Sequence, residues 1–189
     1  YLDLMFDLKN LAPDKVPYLG LLKSVLGYVD TAHYTYGELS NEINAETGGI
    51  ACGVEVFDRA DSVDEYRAFF GVKGKVMYPK MDVIFRMIRE ILNTSDVTDT
   101  RRLHEIISRV KSRAQSSLVS AGHSTAVLRA ASYASPMAAF QDGMAGIAYY
   151  QFIEKLDREF DDRKEEIIEN LKSLMVEILR PENLCISYT

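Results

Sequence analysis

The sequence predicts an α+β fold: a two-layer sandwich with helices packed on one face of a largely antiparallel sheet. Three observations carry that expectation. Four segments read as strands, at residues 1–8, 50–57, 66–76 and 184–188. Two of them follow one another with only a polar connection between. The helical stripes gather in the second half of the chain instead of alternating with strands, which argues against a parallel, doubly wound sheet.

Taken in order, Leu2, Leu4, Phe6 and Leu8 fall on one side of the first segment, with Asp3 and Asp7 opposite. That period of two marks a half-buried strand. After a turn over residues 10–14, Tyr18, Leu21, Leu22, Val25, Leu26 and Val29 recur at helical spacing. Thr35-Tyr36-Gly37-Glu38 has the form of a capping box, in which threonine and glutamate satisfy each other's backbone N–H groups. The helix it opens should stop at Gly48-Gly49. Residues 50–57 form the second strand, 58–64 a polar connection, and Tyr66, Ala68, Phe70 and Val72 alternate in a third strand that ends near Val76.

Met77, Met81, Ile84, Phe85, Ile88, Ile91 and Leu92 form one apolar stripe, broken at residues 93–100, where Asp99 is a cap. Leu103, Ile106, Ile107, Val110, Ala114, Leu118 and Ala121 form the next. Ser135-Pro136 reads as a helix start. Two further helical stretches run from about Met137 to Leu156 and from about Arg163 to Leu179, before a turn at residues 180–183 and a last strand over 184–188. The expected order is β-α-α-β-β-α-α-α-α-β in a single domain spanning residues 1–189.

Composition narrows the function classes. The 189 residues are 47% hydrophobic, enough for a sizeable core, and carry 22 basic against 28 acidic side chains, a net charge of -6. An acidic chain without a dense basic block is a poor nucleic-acid binder. No apolar run approaches the roughly 18 residues that span a bilayer. The chain opens on Tyr1 rather than Met, and the expectation is a piece of a longer protein. Cys52 and Cys185 do not make a disulfide framework and read as reduced residues within strands.

A search for chemistry finds near misses. The histidines are His33, His104 and His123. His104-Glu105-Ile106-Ile107-Ser108 lacks the second histidine of H-E-x-x-H, and the inverted H-x-x-E-H is absent. Gly122-His123-Ser124-Thr125-Ala126 resembles a nucleophile elbow only superficially. A helical pattern precedes it where a strand is needed, its last position is alanine, and no histidine follows His123. A serine or cysteine hydrolase therefore has little behind it. Gly71-Val72-Lys73-Gly74-Lys75 lacks P-loop spacing and reads as a twisted or bulged strand. No catalytic, cofactor-binding or metal-ligating residue is assigned. The strongest charge feature is Arg101, Arg102, Arg109, Lys111 and Arg113. It reads either as a solvated face whose stems cover apolar surface, or as a positive wall facing an acidic ligand or another domain. Tyr149-Tyr150 reads as core and edge.

Several stretches, in this order, resemble a known family. They are residues 1–8 (Tyr1-Leu2-Asp3-Leu4-Met5-Phe6-Asp7-Leu8), Tyr34-Thr35-Tyr36-Gly37-Glu38-Leu39 with Thr47-Gly48-Gly49-Ile50, and Gly74-Lys75-Val76-Met77. Gly122-His123 with Arg129-Ala130-Ala131-Ser132-Tyr133 and Pro181-Glu182-Asn183-Leu184 complete the set. The set is similar to the presequence-protease, or falcilysin-like, branch of the pitrilysin/insulinase zinc metallopeptidases. The resemblance covers essentially the whole chain and implies the fold of a processing-peptidase-like domain. It also implies a parent enzyme of two halves, each with two similar αβ domains, around a chamber that admits unstructured peptides.

In that family zinc is held in the first domain by H-x-x-E-H and a distant glutamate, and the motif's glutamate activates water. This chain resembles the domain that opens the second, degenerate half, which has no zinc motif. The arginine and tyrosine that the second half supplies to catalysis lie, by resemblance, beyond Thr189, so neither Arg129 nor Tyr133 is given that role. The expectation is a non-catalytic wall domain, inactive alone, with Zn2+ bound elsewhere in the parent. Its partners would be the parent's other domains and peptide substrates, without nucleic acid or membrane. Its compartment would be the bacterial cytoplasm, or an organellar matrix if eukaryotic. The alternative is a stand-alone binding or scaffolding module of the same fold without hydrolase activity.

Overall fold

A computed structural model describes residues 1–60 and 62–189, with the backbone alone for Val63. Four strands form one antiparallel sheet in the order β2-β3-β1-β4: β1 (Leu2–Asp7), β2 (Ile50–Arg59), β3 (Ser62–Gly74) and β4 (Leu184–Tyr188). The alternation of β1 holds. Leu2 and Phe6 turn into the core and Asp3 and Asp7 turn away, with Phe6 paired to Phe70 on one side and Leu184 on the other. The opposite face carries ion pairs, with Arg67 bonded to Asp7 at 2.6 Å and Lys73 paired to Glu55, beside the Phe57 and Phe69 rings. The architecture is the expected α+β sandwich.

The described residues form eight α-helices: α1 (Val16–Val25), α2 (Tyr36–Glu46), α3 (Met81–Thr94), α4 (Thr100–Ser120), α5 (Gly122–Ala131), α6 (Pro136–Ala145), α7 (Ile147–Arg158) and α8 (Phe160–Ile178). The first, α1, is apolar nearly all round, which suits a central helix. Leu19, Leu21, Leu22 and Val25 are fully buried between the sheet and the outer helices. Outside it, α3, α4, α7 and α8 each bury one stripe: Ile84, Met87, Ile88 and Ile91 of α3, and Leu103, Ile106 and Ile107 of α4. From α7 come Ile153 and Leu156, and from α8 Ile167, Leu171 and Leu174.

Several boundaries differ from the sequence reading. The first helix stops at Val25, because the chain turns through Gly27 at φ +82°, and Val29 is buried from the following loop. The stripe expected from Met77 starts only at Met81, after a short turn containing Pro79, and Met77 is exposed. The expected 58–64 connection is mostly strand: β2 runs to Arg59 and β3 starts at Ser62, with a register irregularity at Asp58/Arg59. Position 61 of that connection lies outside the described residues. Gly71 and Gly74 sit in regular pairing, so the bulge expected there is absent; Gly74 instead leaves room for Ile84, which a side chain at 74 would meet. The expected helix from Met137 to Leu156 is two helices, broken at Gly146, and residues 122–131 form a helix of their own.

The capping box forms as the sequence predicts. Thr35 Oγ1 accepts from Glu38 N–H, and the Glu38 carboxylate accepts from Thr35 N–H at 2.9 Å. Thr35→Ala is expected to destabilise the fold by about 1 kcal/mol. Chemical denaturation would register it as a lower midpoint with an unchanged slope.

Candidate functional site

The three histidines lie on separate elements. His33, in the loop before α2, places Nδ1 3.1 Å from both oxygens of Glu90 on α3, and its backbone N–H donates to Glu90 at 3.0 Å. Glu90 is buried on an otherwise apolar stripe. Burial alone pushes its carboxyl up; the hydrogen bonds from Thr31, His33 and Thr94 outweigh that and bring it down to about 2. The cluster straps the 31–35 loop to α3.

A carboxylate depressed in the folded state stabilises fully above its unfolded value, ~4.3, and loses that contribution as pH falls through its folded value. The thermal midpoint is therefore expected to fall as pH drops from ~5 toward ~2. Glu90→Gln should be less stable at neutral pH and show a smaller acid decline.

His104, on α4, stacks on Phe160 with ring centroids 4.3 Å apart, and its Nε2 lies 3.5 Å from Asp157 Oδ1. Ser108 stands one turn later, where a second zinc ligand would stand. Its hydroxyl donates to Asp157 at 2.5 Å, as does Lys111 Nζ. Burial raises the Asp157 carboxyl, but the Lys111 and Ser108 bonds overcome that and hold it low. These contacts tie α4 to α7. His123 is exposed on α5. Among the described residues, no group of three or more His, Cys, Asp or Glu side chains is placed to hold a metal ion.

Ser124 follows a helix, α4, and not a strand, so the geometry of a nucleophile elbow is missing. Residues 71–74 lie within β3 in regular pairing and form no loop. Tyr149 is buried, while the Tyr150 hydroxyl donates to Glu154 at 2.9 Å, as core and edge. Both cysteines are free, and burial pushes the Cys52 thiol up to about 12, which leaves it unreactive at neutral pH.

Arg129 and Tyr133 meet a residue that the sequence reading missed. Asp142, 2% exposed, accepts from Arg129 at 2.7 Å and from the Ile147 backbone N–H at 2.9 Å. The Arg129 guanidinium also lies 5.2 Å over the Tyr133 ring. This cluster joins α5, α6 and α7, so Arg129 is held by the fold. The one sequence signal was an aspartate on an apolar helix four residues before Gly146.

The basic stretch on α4 divides into two sides. Arg101 and Arg102 pair with Glu105. Arg102 also lies 3.8 Å over the Tyr36 ring and donates to Tyr28 O at 2.8 Å, so its stem does cover apolar surface. Lys111 faces α7. Arg109 and Arg113 border a groove of about 570 Å3 between α4, α2, the end of α1 and β2, the outermost strand of the sheet.

Known proteins resemble this chain in sequence and in fold. The chain is 31% identical to "Protein HypA" of Clostridium perfringens over all of its length. It is 27% identical to the mitochondrial presequence protease of Yarrowia lipolytica over 92% of its length, and 25% identical to presequence protease 1 (chloroplastic/mitochondrial) of Arabidopsis thaliana over 100%. It spans 19%, 18% and 17% of those proteins, about a fifth of each. The fold matches the inactive peptidase domain of a Bordetella parapertussis protein described as a zinc protease, with a TM-score of 0.58 and 15% identity, over 100% of this chain and 91% of that one. The family model of the domain associated with peptidases of family M16, subfamily C, matches residues 1–156. The chain belongs to this peptidase-associated family, in its presequence-protease-like branch.

Proposed function

We propose that this chain is a non-catalytic wall domain of a zinc metalloendopeptidase that degrades unstructured peptides, and that it opens the half of the enzyme that lacks the zinc site. The observation that carries the reading is the family match together with the arrangement of the candidate ligands. Three histidines on α4, α5 and a distant loop, tied to Glu90, to Asp157 or to solvent, do not fit a zinc site, which needs three or more convergent ligands. Zinc then belongs to another domain of the parent, and this chain contributes shape and closure. The fifth of the relatives' length that the chain spans supports a multidomain parent over a stand-alone module. The compartment we infer is the bacterial cytoplasm or an organellar matrix, in keeping with the mitochondrial and chloroplastic relatives. No helix among the described residues is long and apolar enough to cross a membrane.

Two measurements test the reading. The parent reading frame should encode H-x-x-E-H upstream of Tyr1. The isolated 189-residue chain should neither take up zinc stoichiometrically against a chelating dye nor cleave a quenched fluorescent peptide. Zinc-dependent cleavage by the isolated chain would sink it.

A further inference from the structure

The helix layer covers β2 only in part. Ile50, Cys52 and Val54 face the helices but are only half-buried, whereas Gly74, Val72 and Phe70 opposite them on β3 are covered. The groove lies over this uncovered strip. At the same place the sheet is open, because β2 pairs with β3 alone.

The phase of the ladder fixes which backbone groups face the opening. Leu8 N–H donates to Ala68 O at 3.0 Å, so every second residue of β3 from Ala68 bonds toward β1. The residues between them bond toward β2, to Ala51, Gly53, Glu55 and Phe57. Ile50, Cys52 and Val54 therefore turn their N–H and C=O groups outward along the groove, and no other strand among the described residues pairs with them.

The charge of the groove opposes that of the chain. The protein carries -6 overall, yet the groove is lined by Lys23, Arg109 and Arg113 and by no carboxylate among the described residues. Arg109 is steadied 5.0 Å over the Tyr28 ring. Burial lowers the Lys23 amine from its ordinary value, as befits a cation short of a counter-charge.

We propose that this groove binds an extended acidic peptide by strand addition to β2, with carboxylates at alternate positions reaching Lys23, Arg109 and Arg113. An extended chain supplies the hydrogen-bond partners that the edge lacks, which a helix, with its backbone groups already paired, cannot do. Its side chains alternate between faces, so one set points toward the α1 and α4 wall where the cations stand. Complementary charge then selects the sequence. This is a binding activity of the chain itself and is read without hydrolysis, so it stands or falls apart from the wall role.

The test is fluorescence anisotropy of the 189-residue chain with three labelled hexapeptides: alternating Glu-Val, alternating Lys-Val, and fully N-methylated Glu-Val. The Glu-Val peptide is expected to bind, and each of the other two to bind at least about tenfold more weakly. Arg113→Glu, at an exposed position, should weaken the Glu-Val peptide and favour the Lys-Val peptide while leaving the far-UV circular dichroism unchanged.

Equal binding of the N-methylated peptide would overturn strand addition, and equal binding of the Lys-Val peptide would overturn charge reading. No binding at ~1 mM would overturn both. A peptide-free dimer that the peptide has to displace would give the edge to a second copy. Binding by this chain but not by the longer parent would give it to a segment of the parent. Either of those results would also overturn the proposal.

Discussion

Phe70→Ala is expected to destabilise the fold by about 3–5 kcal/mol, read as a lower denaturation midpoint at unchanged slope. Phe70 is fully buried on the inner strand β3, paired with Phe6 on one side and Val54 on the other, and faces the helices. Truncation removes its transfer energy and leaves a cavity that a close-packed sheet cannot close. Its neighbour Phe69 points to the opposite face, 6.0 Å from the Phe57 ring and under the Arg67 guanidinium at 5.0 Å. Phe69→Ala should therefore cost about 1 kcal/mol or less. The pair tests the sidedness of the sheet, since a slip of one residue would exchange the two effects. Similar losses at both positions would contradict the register.

The parts of this fold legible in the sequence are those whose cause is local. The alternation in residues 1–8, the capping box at Thr35 and the Asp99 cap each follow from a few neighbouring residues, and each forms. What was not legible depends on partners far along the chain. Residues 137–156 hold an unbroken helical pattern, and only the packing of Asp142 against Gly146 shows why the helix restarts at Ile147. Residues 58–64 are mostly polar and so read as a connection. Pairing nonetheless reaches into it, Asp58 with Tyr66 and Arg59 with Ser62 across a register irregularity, because a hairpin ladder needs backbone partners more than apolar side chains.

The sites divide in the same way. That the His104 motif lacks a second histidine is visible in five residues. That Ser108 in its place serves Asp157 requires a carboxylate 49 positions later. His33 shows nothing locally of its bond to Glu90, 57 residues away. The basic stretch was open to two readings because spacing places Arg102, Arg109 and Arg113 on one side of α4 without saying what lies opposite. Opposite Arg102 is the Tyr36 ring; Arg109 lies over the Tyr28 ring and, with Arg113, also borders the groove beside the unpaired edge of β2. The covering-stem reading holds for Arg102, while the positive-wall reading rests on the binding proposed for the groove that Arg109 and Arg113 border.

Gly20→Val is expected to cost about 3 kcal/mol or more, at the upper end of overpacking effects, because it forces α1, which builds one wall of that groove, away from α6 and α7. A Cβ at position 20 would stand 2.7 Å from Tyr149 Cε2 and 2.8 Å from the Met144 carbonyl oxygen. The first contact is with a buried ring and the second with the backbone of α6, so neither can yield by a simple side-chain rotation. Gly20→Ala makes the same two Cβ contacts but adds no further atoms and regains about 1 kcal/mol of helix propensity. Its net cost should be about half that of valine or less, and a graded glycine, alanine, valine series in denaturation midpoint is the signature of close approach. Alanine as stable as glycine would mean that α1 has room to move. The series bears on the groove because Lys23 and Ser24 lie one turn beyond Gly20 on the same helix. A displaced α1 moves the groove's wall relative to the edge of β2, so a folded Gly20→Ala protein should bind the Glu-Val peptide more weakly than the parent sequence does.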